Sequence, residues 1–195
     1  MPFEVQNDKH FCCQRLVAAF GAELSLEYDT LLVAGGEEPI YLPAENKTPA
    51  KIIFREDFFA SALHEVAHWC VAGARRRRLP DYGYWYCPDG RSAEEQARFE
   101  HVEIKPQALE WIFSSVCGYK FRISADNLMN GQGPSQQFKL QLVYQVWKYC
   151  ESMPLRAEKF AQALAREFNR PMALHRERFC IGDLVEFNGI GNTLT

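Results

Sequence analysis

Asp57-Phe58-Phe59-Ala60-Ser61-Ala62-Leu63-His64-Glu65-Val66-Ala67-His68-Trp69-Cys70-Val71-Ala72-Gly73 carries two patterns at once. Phe59, Ala62, Leu63, Val66 and Cys70 recur at three- and four-residue intervals, the period of a helix with one packed stripe. The other flank holds His64-Glu65-Val66-Ala67-His68, an H-E-x-x-H sequence. Residues four apart on a helix sit one turn up and only about 40° round, so both imidazoles reach one metal ion. Glu65, about 100° away, stands beside that ion, placed to hold or deprotonate a metal-bound water.

Upstream of this helix, residues 8–20 read as a short helix with Asp8 as N-cap and Gly21 as its stop. Thr30–Val33, Ile40–Leu42 and Lys51–Phe54 are β-branched or aromatic runs separated by Gly35-Gly36-Glu37-Glu38-Pro39, Pro43 and Pro49, which predicts a small three-stranded sheet. Downstream, Arg75–Arg78 and Leu79-Pro80 close the ligand helix, and residues 81–91 (DYGYWYCPDGR) form a loop dense in aromatic residues. Ser92 with Glu95 makes a capping box that opens a second helix, expected to run to about Lys105, where Pro106 predicts a kink or a restart. Leu109, Ile112, Phe113 and Val116 then mark a further helix. Beyond Gly131-Gln132-Gly133-Pro134, another is lined by Leu140, Val143, Trp147 and Cys150, and a last one by Phe160, Leu164 and Phe168; residues 174–187 are ambiguous. The expected fold class is α+β, mostly helical with a small N-terminal β-sheet, a zincin-like arrangement of the H-E-x-x-H helix, and one domain over residues 1–195.

Composition narrows the function classes. The chain has 195 residues, 47% of them hydrophobic, with 22 Lys and Arg against 25 Asp and Glu. A net charge of −3 and a pI near 6.0 give no basic field, so no nucleic-acid partner is expected. No apolar run approaches the roughly 20 residues that span a bilayer, and MPFEVQNDKHF lacks the pattern of a signal peptide. A cytoplasmic protein with no membrane partner is the expectation. Seven cysteines, at 12, 13, 70, 87, 117, 150 and 180, form no C-x-x-C pair, and their odd number fits reduced thiols that fill the core.

Two histidines need a third ligand. The capped helix offers Glu94, Glu95, Glu100 and Glu103; Glu103 is preferred because it falls where a kink at Pro106 would let the helix approach the histidines, with Glu100 the runner-up. His101-Val102-Glu103 also spells H-x-E, a paired ligand of jelly-roll oxygenases, with His175 as a distant partner. That reading fails, because residues two apart point about 200° apart on a helix. Two histidines and a carboxylate leave coordination positions open, which suits hydrolytic zinc and oxygen-activating ferrous iron alike. With zinc, Glu65 would be the general base of an H-E-x-x-H metallopeptidase. A structural metal module would need a fourth ligand, such as Cys70 or His101.

Longer strings carry a resemblance. His64-Glu65-x-x-His68-Trp69-Cys70, Tyr82-Gly83-Tyr84-Trp85-Tyr86-Cys87-Pro88-Asp89-Gly90-Arg91, Phe99-Glu100-x-Val102-Glu103-x-Lys105-Pro106-Gln107-Ala108-Leu109 and Glu38-Pro39-Ile40-Tyr41-Leu42-Pro43-Ala44 together resemble the elongation factor P hydroxylase family over about residues 37–127. The resemblance implies a non-haem hydroxylase that inserts one oxygen atom into the side chain of a lysine of elongation factor P already extended with β-lysine. It implies Fe(II), with dioxygen as co-substrate, held by His64, His68 and Glu103, with zinc or another divalent metal able to occupy the site in isolated protein. Glu65 carries over as a residue beside the metal. Tyr82, Tyr84 and Trp85 would wall the aliphatic stem of the modified lysine, Asp81 or Asp89 would meet its ammonium group, and Arg91 closes the same loop as a further substrate contact. Arg75–Arg78 follows the ligand helix and is placed to dock an acidic protein surface.

Overall fold

The computed structural model describes residues 10–81, 91–125 and 133–186. Helix α1 (Cys13–Phe20) leads through a wider π-type segment, Gly21–Ser25, into α2 (Leu26–Tyr28). Strands β1 (Thr30–Gly36), β2 (Ile40–Leu42) and β3 (Ala50–Arg55) follow, then α3 (Phe59–Val71) and α4 (Ala93–Cys117). Strand β4 (Arg122–Ile123), helices α5 (Gln136–Glu151) and α6 (Leu155–Glu167), and β5 (Val185–Glu186) complete the order.

The three expected strands form one mixed sheet in the order β1-β3-β2. β3 lies parallel to β1, with Leu32 opposite Ile52, and antiparallel to β2, with Tyr41 opposite Ile52. Alternation in β3 buries Ala50, Ile52 and Phe54, and α3 packs against this strand. Helix α4 packs against α3, α5 and α6, and from Phe99 onward most of its surface is covered. The apolar core is contiguous across α1, β3, α3, α4, α5 and α6, with edge-to-face rings such as Phe113 on Phe160. The fold is thus α+β with helices predominating, and no helix among the described residues is long and apolar enough to cross a membrane.

Ser92 caps α4 as its sequence predicts, its hydroxyl accepting from Glu95 N–H while Glu95 accepts from Ser92 N–H. The helix then ends at Gly118, whose φ of +77° suits glycine; a Cβ there would also meet the Arg170 guanidinium at 2.6 Å.

Pro106 neither restarts nor ends α4: one helix of 25 residues runs through it. Its ring deprives the Val102 carbonyl of a donor, but Val102 is half-exposed, where water can substitute, and burial on both sides of the proline holds the helix together. Gly21 does not stop the first helix either. Its φ of −58° is helical, and burial of Leu24 draws the chain onward until Asp29, at φ +45°, turns it into β1. The α5 stripe is shifted from the expected one. Phe138, Leu142, Val143, Val146 and Tyr149 are buried, whereas Leu140 is 56% exposed and Trp147 stays at the surface with its indole N–H donating to Phe179 O. The ambiguous tail forms short 3-10 turns at Arg176–Arg178 and Ile181–Asp183 before β5 pairs with β4 in parallel. Asp8 lies outside the described residues.

Candidate metal centre

Helices α3 and α4 pack side by side, and a cluster of polar side chains lies between them. From α3, His64 Nε2 and His68 Nε2 approach to 3.0 Å. From α4, Glu103 places Oε1 3.3 Å from His68 Nε2 and Oε2 3.7 Å from His64 Nε2. One ligand-type atom from each residue falls within a 4.8 Å cluster.

This trio fits a metal ion on its own geometry. Glu103 is only 1% exposed, and apart from His68 Nε2 at 3.3 Å its buried Oε1 meets no donor among the described residues. A buried carboxylate oxygen without a donor is costly unless a cation compensates it. Two nitrogens bound about 2.1 Å from one ion at ordinary angles stand roughly 3.0–3.4 Å apart, and the two imidazoles match that spacing.

A second set of α4 side chains orients these three. Glu110 Oε2 accepts from His64 Nδ1–H at 2.8 Å, which leaves Nε2 as the lone-pair nitrogen. Gln107 Nε2–H donates to Glu103 Oε2 at 3.4 Å and to Ser124 O at 2.8 Å, while Gln107 Oε1 accepts from Ser124 N–H at 3.2 Å. Neither Glu110 nor Gln107 was singled out by the sequence reading above. The signal was present, since Glu103, Gln107 and Glu110 recur at four and three residues, a stripe that carries polar groups into the part of the helix that turns mostly apolar after Lys105. Replacing Glu110 with Gln keeps an acceptor for His64 but removes the charge. The expected result is a 10- to 100-fold loss of metal affinity, read by competition with a chromogenic chelator, with the fold intact.

Electrostatics follow from burial and these contacts. Burial disfavours a charged His64, but the hydrogen bond and charge of Glu110, aided by Glu103 and Glu65, outweigh it and push the imidazole up to about 10. Burial disfavours a charged Glu103 as well, yet His68 and His64 hold it down to about 2. Burial raises Glu110, with His64 opposing. The two large shifts predict a window. His64, raised from 6.5, contributes stability that is complete below that pH and lost as pH rises through about 10. Glu103, lowered from 4.5, contributes stability present above that pH and lost as pH falls through about 2. Thermal melts of chelator-stripped protein should therefore show a maximum between these limits and a decline on both sides.

Glu65 lies outside the trio, as its 100° offset requires. It is buried, and burial raises its carboxyl despite the neighbouring imidazoles. Glu65 and His68 line a cavity of about 20 Å³, room for one water molecule, together with Tyr41, Trp69 and Arg77.

The other candidates separate. Glu100 is turned to the N-terminus of α5, where it accepts from Ser135 N–H at 3.0 Å and Ser135 Oγ–H at 2.5 Å. Glu95 serves the capping box, and Glu94 pairs with Arg98 on the surface. His101 and His175 are exposed, and Cys70 is buried with its thiol pushed up by burial and absent from the cluster. Asp81 forms an ion pair with Arg76. Arg91 points inward: it is 6% exposed, stacks 3.9 Å over Phe99 and donates to Ala125 O at 3.2 Å. Tyr82, Tyr84, Trp85, Asp89 and Cys87 lie outside the described residues.

The family model for elongation factor P hydroxylase matches residues 19–179. Over 166 residues the chain is 48% identical to the elongation factor P lysine hydroxylase of Haemophilus influenzae, an alignment that covers 84% of this chain and 93% of that protein. The chain belongs to the elongation factor P hydroxylase family. Membership makes it an enzyme, and nothing in these relatives supports the peptidase alternative. Within this hydroxylase family member the matched segment contains α3 and α4 entire, and with them all of the trio and its supporting residues.

Proposed function

We propose that this chain hydroxylates the β-lysylated lysine of elongation factor P in the cytoplasm, as one hydroxylase domain, using Fe(II) bound by His64, His68 and Glu103. The observation that carries the reading is the buried His64–His68–Glu103 cluster in a chain 48% identical to a named elongation factor P lysine hydroxylase. The arrangement is zincin-like, with two histidines from one helix and a carboxylate from the next, here put to oxidative use. His64, His68 and Glu103 would leave coordination positions open on a bound Fe(II), which would supply the chemistry for using dioxygen as co-substrate. Zinc or another divalent ion fills the same set when iron is scarce.

The residues of the chain do the rest. Glu110 holds the His64 proton on Nδ1 and keeps Nε2 free to ligate. Gln107 ties Glu103 Oε2 and leaves Oε1 aimed at the centre of the cluster. Glu65, whose carboxyl burial pushes above the usual carboxylate range, lines the one-water cavity together with His68. Hydroxylation by dioxygen places one oxygen in the substrate and releases the other as water, which consumes two protons and two electrons, the electrons supplied by a separate electron donor; Glu65 is the proposed carrier of one such proton. Tyr82, Tyr84, Trp85 and Asp89 are proposed to grip the modified lysine.

Heavy-isotope dioxygen tests the reaction class. Elongation factor P from co-expressing cells grown under the labelled gas should carry the label on its modified lysine. Label arriving only from labelled water would contradict the oxygenase reading.

A further inference from the structure

The four arginines Arg75–Arg78 follow the ligand helix and take no part in the metal cluster. Arg76–Arg78 form a single 3-10 turn, in which successive side chains splay about 120° apart. Arg76 turns to Asp81 and pairs with it, Arg77 is half-buried with its carbonyl accepting from Tyr41 Oη–H at 3.0 Å, and Arg75 and Arg78 are exposed. Arg75, Arg77 and Arg78 form no ion pair among the described residues. The chain carries −3 overall, yet three unpaired positive charges stand within these four residues.

Satisfying the end of a helix, the usual occupation of such a run, does not account for it. Helix α3 ends at Val71, and the field of its carbonyl end falls off within the last turn, before Arg75 is reached. Two carbonyls there, Cys70 O and Ala72 O, already accept from Arg156 at 2.9 and 2.6 Å. The run borders open space instead. Arg77 and Arg78 line a cleft of about 700 Å³ together with Tyr28, Tyr41 and Pro43. This cleft shares Tyr41, Trp69 and Arg77 with the one-water cavity, whose lining also includes His68.

We propose that Arg75, Arg78 and the cleft beside them are the surface on which an acidic patch of the folded protein substrate docks while its modified lysine reaches the metal centre; the choice of partner rests on the hydroxylase reading above. A protein surface fits better than a small anion, because Arg75 is not part of the cleft lining and a small molecule seated there would leave it unused. Glu45 also lines the cleft, but one carboxylate against three unpaired arginines leaves the mouth positive. Positive charge repels a lone lysine, so the attraction comes from carboxylates that surround that lysine on the partner. Such a field selects a partner by its surface and speeds encounter more than it tightens the final contact. A nucleic acid needs a longer basic stripe than one turn of a chain whose net charge is negative.

The test measures binding and turnover separately, on the full iron-loaded chain with β-lysylated elongation factor P. Arg75→Glu with Arg78→Glu is compared with Arg98→Glu with Lys148→Glu, a control that makes the same charge change on exposed parts of α4 and α5. In calorimetric titrations at low salt the Arg75, Arg78 variant should bind at least about tenfold more weakly than the wild type, and the control within about twofold of it. Its KM should rise to match with kcat unchanged, and the gap should close in 1 M salt, where screening acts within about 3 Å. If the reversal variant does not fold, Arg75→Gln with Arg78→Gln takes its place, with a weakening of about threefold or more expected. Equal binding by variant and wild type, equal weakening in the control, no binding by the wild type, or tighter binding of transfer RNA that the variant abolishes would each overturn the proposal. A wild type that binds without hydroxylating would count against the hydroxylase reading alone, since the binding comparison still decides the docking surface.

Discussion

Alanine at both His64 and His68 is expected to abolish metal binding and, with it, hydroxylation. Both Nε2 atoms point into the cluster, and Glu103 alone offers one carboxylate. Loss of a residue that merely orients a ligand costs 10- to 100-fold, so removal of two ligands should cost on the order of a hundredfold or more in affinity. Stability in the metal-free state should respond differently. Glu103 and Glu110 would lose their imidazole partners and remain buried, so both carboxyls should rise and the stripped variant should melt below the stripped wild type at neutral pH. Metal content by elemental analysis and melting in chelator separate the two effects. A double variant that still retained one equivalent of metal would remove the trio from consideration.

The second large effect contrasts two buried glutamates three residues apart. Glu103→Gln should lower metal affinity on the order of a hundredfold, because it removes the only negative charge among the three proposed ligands. Glu100→Gln should leave metal content at the wild-type level. Its carboxylate serves Ser135 at the start of α5, so the cost falls on stability, about 1–3 kcal/mol by chemical denaturation. The reverse pattern, with metal lost in Glu100→Gln and kept in Glu103→Gln, would exchange the two roles.

Much of this architecture was legible because local signals agreed with packing. The Ser92–Glu95 capping box set the start of α4, and runs such as Lys51–Phe54 marked strands whose alternation the core then used. The pairing of His64 with His68 followed from helix geometry alone. Failures occurred where tertiary burial overrode a local breaker. Pro106 and Gly21 are strong punctuation in an isolated chain, but covered faces on both sides carry the helices through them. Glu110 escaped notice because a lone glutamate among Leu109, Trp111 and Ile112 reads as the solvent side of a helix. Only the packing of α3 against α4 reveals that this side faces His64. The preference for Glu103 over Glu100 leaned only on the expected kink at Pro106; both are buried on α4, and what separates them is which helix each meets.

The central claim is that the His64–His68–Glu103 cluster hydroxylates a modified lysine of elongation factor P. Intact mass of β-lysylated elongation factor P after co-expression tests it most directly, with wild-type chain in one culture and the His64→Ala, His68→Ala double variant in another. The expected result is a gain of one oxygen atom with the wild type alone. An unchanged mass with folded, iron-loaded wild type, or the same gain with the double variant, would contradict it.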